Sequence, residues 1–166
     1  MSAITPKQET ILANLKTQLE GIDGTGSYNN DVKTVTRRLM DPDRLGKNNM
    51  PALLIMPLES SFTAMTGEEM TAGSTIESIA DGFAIEILGY VTSDTDTNDE
   101  GLLQKEMIKL FADIVLAVYT DITLSGSATA ITLISHSNYF DYYEENIGII
   151  VIRFAIKYDF SPAINP

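Results

Sequence analysis

From residue 147 the chain reads IGIIVIRFAIKYDF, and Ile150, Ile152, Phe154, Ile156, Tyr158 and Phe160 recur at every second position. An uninterrupted period of two suits only an extended strand with one face against a core. The intervening positions change from Ile149 and Val151 to Arg153 and Lys157, so the other face starts apolar and ends charged. A strand of this kind needs a sheet covered on one face, and apolar positions such as Ile149 and Val151 on the other, uncovered face suggest an interface. The segment ATAITLISHSN precedes it, separated by the polar aromatic interval YFDYYEEN, and the simplest joining of the two is an antiparallel hairpin.

Three further strands are expected. GFAIEILGYVTS carries apolar residues on both faces for most of its length, as a buried strand does. PALLIMPL is short, apolar and bounded by prolines, which predicts a buried strand over 52–58. VKTVTRRLM alternates weakly and ends before the turn Asp41-Pro42-Asp43.

Two helices supply the cover. Thr5, Pro6 and Gln8 form a helix start, with a cap, a proline suited to the first helical position and a capping-box partner. Ile11, Leu12, Leu15, Leu19 and Ile22 then share one face, so the helix spans about residues 6–21. Leu103, Met107, Leu110, Phe111, Ile114 and Val118 form a second stripe at spacings of three and four, predicting a helix over 100–119 that Asn98 or Asp99 can cap. The expected class is α+β: a single mixed, mainly antiparallel β-sheet with two α-helices packed on one face and long inter-strand loops.

Length and composition fit one domain over residues 1–166: 18.2 kDa suffices for one core, and 44% hydrophobic with 20% charged residues lies in the globular range. The formal charge of −12 argues against tight, sequence-specific DNA binding, which needs an excess of Lys and Arg to neutralise phosphates. The absence of cysteine excludes a disulfide framework, a thiolate zinc site and a cysteine nucleophile. MSAITPKQETIL has no apolar signal core, and the runs IVLAVY and IGIIVI are far short of the ~20 residues that cross a bilayer. A soluble protein made inside the cell is expected.

No motif carries obvious chemistry. SDTDTNDEG, residues 93–101, places Asp94, Asp96 and Asn98 where an EF-hand has its first three ligands, but Asp99 stands at the turn glycine and Lys105 at the closing glutamate. The bland alternative is a solvated strand-to-helix loop whose acids suit the positive end of the following helix. His136 is the only histidine, and no G-x-S-x-G accompanies it; SGSA at 125–128 reads as a turn. One histidine without cysteine leaves no ordinary zinc site, and no cofactor is expected. GIDGTGS follows a helix rather than a strand, so it terminates that helix instead of cradling a phosphate. Carboxylates are numerous, but no spacing separates an acid from a base.

Charge is unevenly spread. Residues 48–104 hold ten acids (Glu59, Glu68, Glu69, Glu77, Asp81, Glu86, Asp94, Asp96, Asp99 and Glu100) and no Lys or Arg, whereas seven of the eleven basic residues precede position 48. Lys33, Arg37, Arg38, Arg44 and Lys47 form the one basic cluster, read as a strand edge or a salt-bridging subunit contact. Such segregation favours head-to-tail packing of identical subunits and a negative surface wherever the acidic parts converge. The long polar excursion over 59–78 has no sustained period, and loops of that length are commonly functional.

Taken together, the order of segments resembles the tail-terminator (tail-completion) proteins of long-tailed bacteriophages. The resemblance rests on the amphipathic helix ending near LEGIDG, the charged VKTVTRRL, the proline-led MPALLIMPLE, the polar excursion, the GFAIEILGYV strand, the helix LLQKEMIKLFADIVLAVYTD and the final IRFAIKYDF. It spans nearly the whole chain as a pattern of order. It implies a structural virion subunit, not an enzyme, that forms a six-membered ring at the head-proximal end of the tail, made in the host cytoplasm. The ring would stop tube growth, meet the tail tube protein and the head connector or neck protein, and let DNA pass without binding it; no membrane is involved. Asp94, Asp96, Asp99, Glu100, Glu68 and Glu69 are then candidates for the lumen or its rim, and Phe62, Met65 and Met70 for contacts with a partner ring. Lys33, Arg37, Arg38 and Arg44 are candidates for an inter-subunit basic patch. A neck or head-tail connector protein shares this outline. Outside that class stand a small carboxylate-dependent enzyme and an acidic regulator that imitates DNA.

Overall fold

The computed structural model describes residues 7–58, 82–93, 100–141 and 146–158. It has the expected α+β architecture, one mixed five-stranded sheet with three helices. The elements in order are α1 (Lys7–Glu20), β1 (Thr34–Thr36), α2 (Pro42–Leu45), a 3-10 turn (Lys47–Asn49), β2 (Ala52–Pro57), β3 (Gly82–Thr92), α3 (Glu100–Thr120), β4 (Ala130–Asp141) and β5 (Ile147–Lys157). The strand order is β1-β2-β3-β5-β4, with β1 and β2 parallel and the other three pairings antiparallel. Strand β5 lies between β3 and β4, so α3 carries the chain over it.

Both long helices lie on one face. Ile11, Leu12, Leu15 and Leu19 of α1, and Leu103, Met107, Leu110, Ile114 and Val118 of α3, join Leu53, Ile85, Ile87, Ile150, Ile152 and Phe154 in one core. Ile150 to Tyr158, the alternating set of the last strand, is buried against it, each large side chain contributing about 1.5–3 kcal/mol. Two glycines set how close α3 comes. A Cβ on Gly148 would lie 2.6 Å from Met107 Sδ, and one on Gly89 would lie 3.0 Å from Leu110 Cδ2.

The opposite face differs from expectation. It is covered at one end by the segment after β1: Met40, Leu45 and Met50 pack over Ala52, Leu54, Tyr90, Ile147, Leu88 and Ile149. Tyr90 Oη donates to the Met40 carbonyl at 3.2 Å and ties the segment down. The strand expected over 32–40 is accordingly only three residues long, because Arg37 turns to Glu9 on α1 and Met40 turns into the second cluster. Strand β4 in turn runs three residues beyond 138, since Tyr139, Phe140 and Asp141 pair with Ile149, Gly148 and Ile147. Polarity suggested a loop there, but ladder pairing decides.

Candidate functional site

The register of β3 sorts the acidic segments. Residues 59–81 leave the sheet after β2 and return at Gly82, whereas residues 94–99 leave after Thr92 and enter α3. Their points of attachment are therefore the two ends of an 11-residue strand, about 35 Å apart. The hairpin between β4 and β5 shares the second end: Thr92 and Asp141 both pair with Ile147, and Ser93 N–H donates to the Asn146 carbonyl at 3.4 Å. Asp141, the last residue of β4, thus stands at the end of the sheet where the 93–101 segment is rooted, and the sequence continues from it to Glu144 and Glu145, which lie outside the described residues. Sequence reading passed over them because it took YFDYYEEN as a bare connection.

Of the residues expected at a lumen or rim, Asp94, Asp96, Asp99, Glu68 and Glu69 lie outside the described residues, as do the partner-contact candidates Phe62, Met65 and Met70. Glu100 is the first residue of α3. Glu86, the one acid of the 48–104 tract on a described strand, pairs with Arg153 on β5 at 2.7 Å.

The two sheet edges are unlike. At one edge β1 is only three residues long and is flanked by Lys33, Arg37 and Arg38. Lys33 bonds Asp31, and Arg37 makes a forked pair with Glu9 that holds that carboxyl below its usual range. The chain therefore uses half of the expected basic patch internally. Arg38 and Arg44 are exposed and have no ion-pair partner among the described residues, and Leu39 beside them is 60% exposed. At the other edge, β4 is 12 residues long and contains no Lys, Arg or Pro.

His136 lies on β4 with its ring 4.5 Å from that of Phe111, tilted by 32°, and exposed. Beside it a shallow groove of about 240 Å³ is lined by Gln104, Met107, Ile108 and Asn138, smaller than usual small-molecule sites. Among the described residues no group of three or more His, Asp or Glu is placed to hold a metal ion, and no helix is long and apolar enough to cross a membrane.

A polar clasp that sequence reading missed orders the region between the helices and the basic edge. Asp113 of α3 is 1% exposed and accepts five hydrogen bonds from the backbone and side-chain amides of Asn29 and Asn30, at 2.7–3.0 Å. The clasp fixes the 21–33 loop, and hence the approach to β1. On α1, Asn14 Nδ2 donates to the Leu124 carbonyl at 2.8 Å, and Gln18 donates to carbonyls at the end of α3. The bonds from Gln18 satisfy acceptors that a helix end leaves open. The one available signal was an acid inside the apolar run LFADIVLAV.

Comparison with known proteins finds no family model that matches the chain and no curated protein that matches its sequence.

Proposed function

We propose that the chain is a structural virion subunit, a tail terminator that forms a ring on the head-proximal end of a bacteriophage tail tube. The ring joins the tube to the head connector, and its lumen is acidic. The observation that carries this reading is the distribution of charge over the fold. A basic edge strand stands at one side of the sheet, while the acid-rich segments 93–101 and 141–145 of the sequence are both rooted at one end of it, where Thr92 and Asp141 pair with Ile147. Unlike surfaces on one subunit favour head-to-tail contacts, which close into rings when the rotation allows. A negative lining repels phosphates and lets DNA slide, whereas basic residues would hold it at many points. The order of elements along nearly the whole chain supports the same reading.

The same distribution suits a neck or connector ring, and the choice of terminator rests on the segment-order resemblance. Limited proteolysis with purified tail tubes tests the role: cleavage within residues 59–78 should be suppressed when tubes are added. Cleavage unchanged by tubes or connector, but suppressed by a small ligand, would reject the structural reading in favour of an enzyme.

A further inference from the structure

We infer that the outer edge of β4, over His136–Phe140, takes the β1 edge of a second copy of this chain, so that one sheet continues from subunit to subunit. The contact rests on the ring reading and names the surfaces that build it.

The backbone of β4 defines the free stretch. Leu133 N–H points away from β5 and is taken by Tyr119 Oη at 3.1 Å. A bulge follows between Leu133 and Ser135, which shifts the alternation by one residue. Beyond it His136, Asn138 and Phe140 have their N–H and C=O groups turned outward. No described residue covers this part of the edge. Exposed apolar side chains stand on both sides of it: Ile108 is 64% exposed on the helix side and Tyr139 is 55% exposed on the other. A long edge without Lys, Arg or Pro beside such side chains is a template for another strand.

Charge selects the occupant. Residues 33–47 carry five basic residues against Asp41 and Asp43, of which Lys33 and Arg37 pair with Asp31 and Glu9 while Arg38 and Arg44 have no ion-pair partner among the described residues; by sequence the 138–146 stretch carries Asp141, Glu144 and Glu145 and no basic residue. Strand directions agree: β4 runs opposite to β1 in the sheet, so a second copy in the same orientation presents its β1 antiparallel to β4. That pairing brings the start of β1 at Lys33, with Arg44 and Lys47 of the segment that packs by Leu45 and Met50 near Ile147, towards the Asp141 end of the next subunit's β4, and leaves Arg37 and Arg38 towards its His136 end.

The absence of cysteine allows a direct test in the full-length protein. Thr36 lies on the sheet face shared by Ser135, Ser137 and Tyr139, by its register through Leu54, Leu88 and Val151. Thr36→Cys protein is mixed under mild oxidation with Ser135→Cys, Ser137→Cys or Tyr139→Cys protein, and native mass spectrometry of the wild type is recorded in parallel. A disulfide-linked pair that forms only on mixing supports the contact. Cross-linking of a β4 variant with itself overturns it in favour of a two-fold β4–β4 pairing. A wild-type ring without any cross-link overturns the edge contact and leaves the ring reading standing, whereas a wild type monomeric at every concentration overturns both. As a second variant, Asn138→Pro removes an outward N–H and no bond to β5, so the monomer should fold while self-association weakens about tenfold or more. Unchanged association, or loss of tube binding with the ring intact, overturns the inference.

Discussion

Replacing Asp113 by alanine removes the acceptor for five hydrogen bonds and leaves their donors in place. Asn29 is exposed and its amides can turn to water, but Asn30 is 6% exposed and keeps both its N–H and its Nδ2 beneath α3. A buried donor without a partner costs about 1–3 kcal/mol, so the two together should destabilise the protein by roughly 2–6 kcal/mol. That is a large part of the ~5–15 kcal/mol that holds a typical domain together. For a chain of this length each kcal/mol lowers Tm by about 2–4 °C. Asp113→Asn keeps one acceptor but turns an amide donor towards Asn30, and should fall between wild type and Asp113→Ala. Urea unfolding followed by circular dichroism gives the difference, with hydrogen exchange at Asn29 and Asn30 as a local readout. A loss under about 1 kcal/mol with an unchanged m-value would refute the buried clasp.

The other predictions concern packing, pH and charge. Gly148→Ala places a Cβ 2.6 Å from Met107 Sδ and 3.1 Å from Val91 Cγ2, and should cost about 1–3 kcal/mol in urea unfolding; no cost would mean that α3 sits farther from the sheet. Asp121 accepts hydrogen bonds from Thr123 Oγ1 at 2.6 Å, Thr123 N at 2.9 Å and Ser125 N at 2.7 Å, which hold its carboxyl below the ordinary value. The lower folded value means that its stabilisation is complete above about pH 4 and is lost as pH falls through the folded value. The difference in Tm between wild type and Asp121→Asn should therefore be present at pH 7 and shrink below about pH 4; a difference that grows in acid would reverse the assignment. Changing Asp94, Asp96 and Asp99 to Asn and Glu100 to Gln should leave the fold and rings intact but slow DNA ejection, measured by dye fluorescence, because the channel becomes less repulsive. Unchanged ejection would remove these residues from the channel.

Period was the legible part of the sequence. Because each repeat reports one buried face, the stripes from Ile11 and Leu103 located both long helices within about a residue, and the alternation from Ile150 located the last strand. That strand ends at Lys157, although the alternating set was expected to run on to Phe160, which lies outside the described residues. Boundaries decided by tertiary partners were less legible. The chain after Thr36 leaves the sheet because Met40, Leu45 and Met50 fill the second face, a cluster spread over three local elements with no common period. Strand β4 outlasts its polar pattern because Gly148 and Ile149 offer Phe140 and Tyr139 a ladder. The candidate site was legible as composition rather than as place. The acid-rich tract stood out in the charge count, but only the register of β3 separates the root of 59–81 from that of 94–99 and joins the latter to the hairpin at Asp141. Asp113 carried no signal beyond its place inside the apolar run LFADIVLAV, since its partners Asn29 and Asn30 are more than eighty residues away.

The central claim is that the chain ends the growth of a tail tube and joins it to the head. The most direct measurement is electron microscopy of particles assembled after deletion of its coding sequence, with tail lengths measured and a plasmid copy as the rescue control. The account predicts tails of irregular or excessive length that fail to join heads, restored to uniform attached tails by the plasmid. Tails of normal length left unattached would contradict termination and move the subunit to the neck, and normal infectious particles would contradict a structural role altogether.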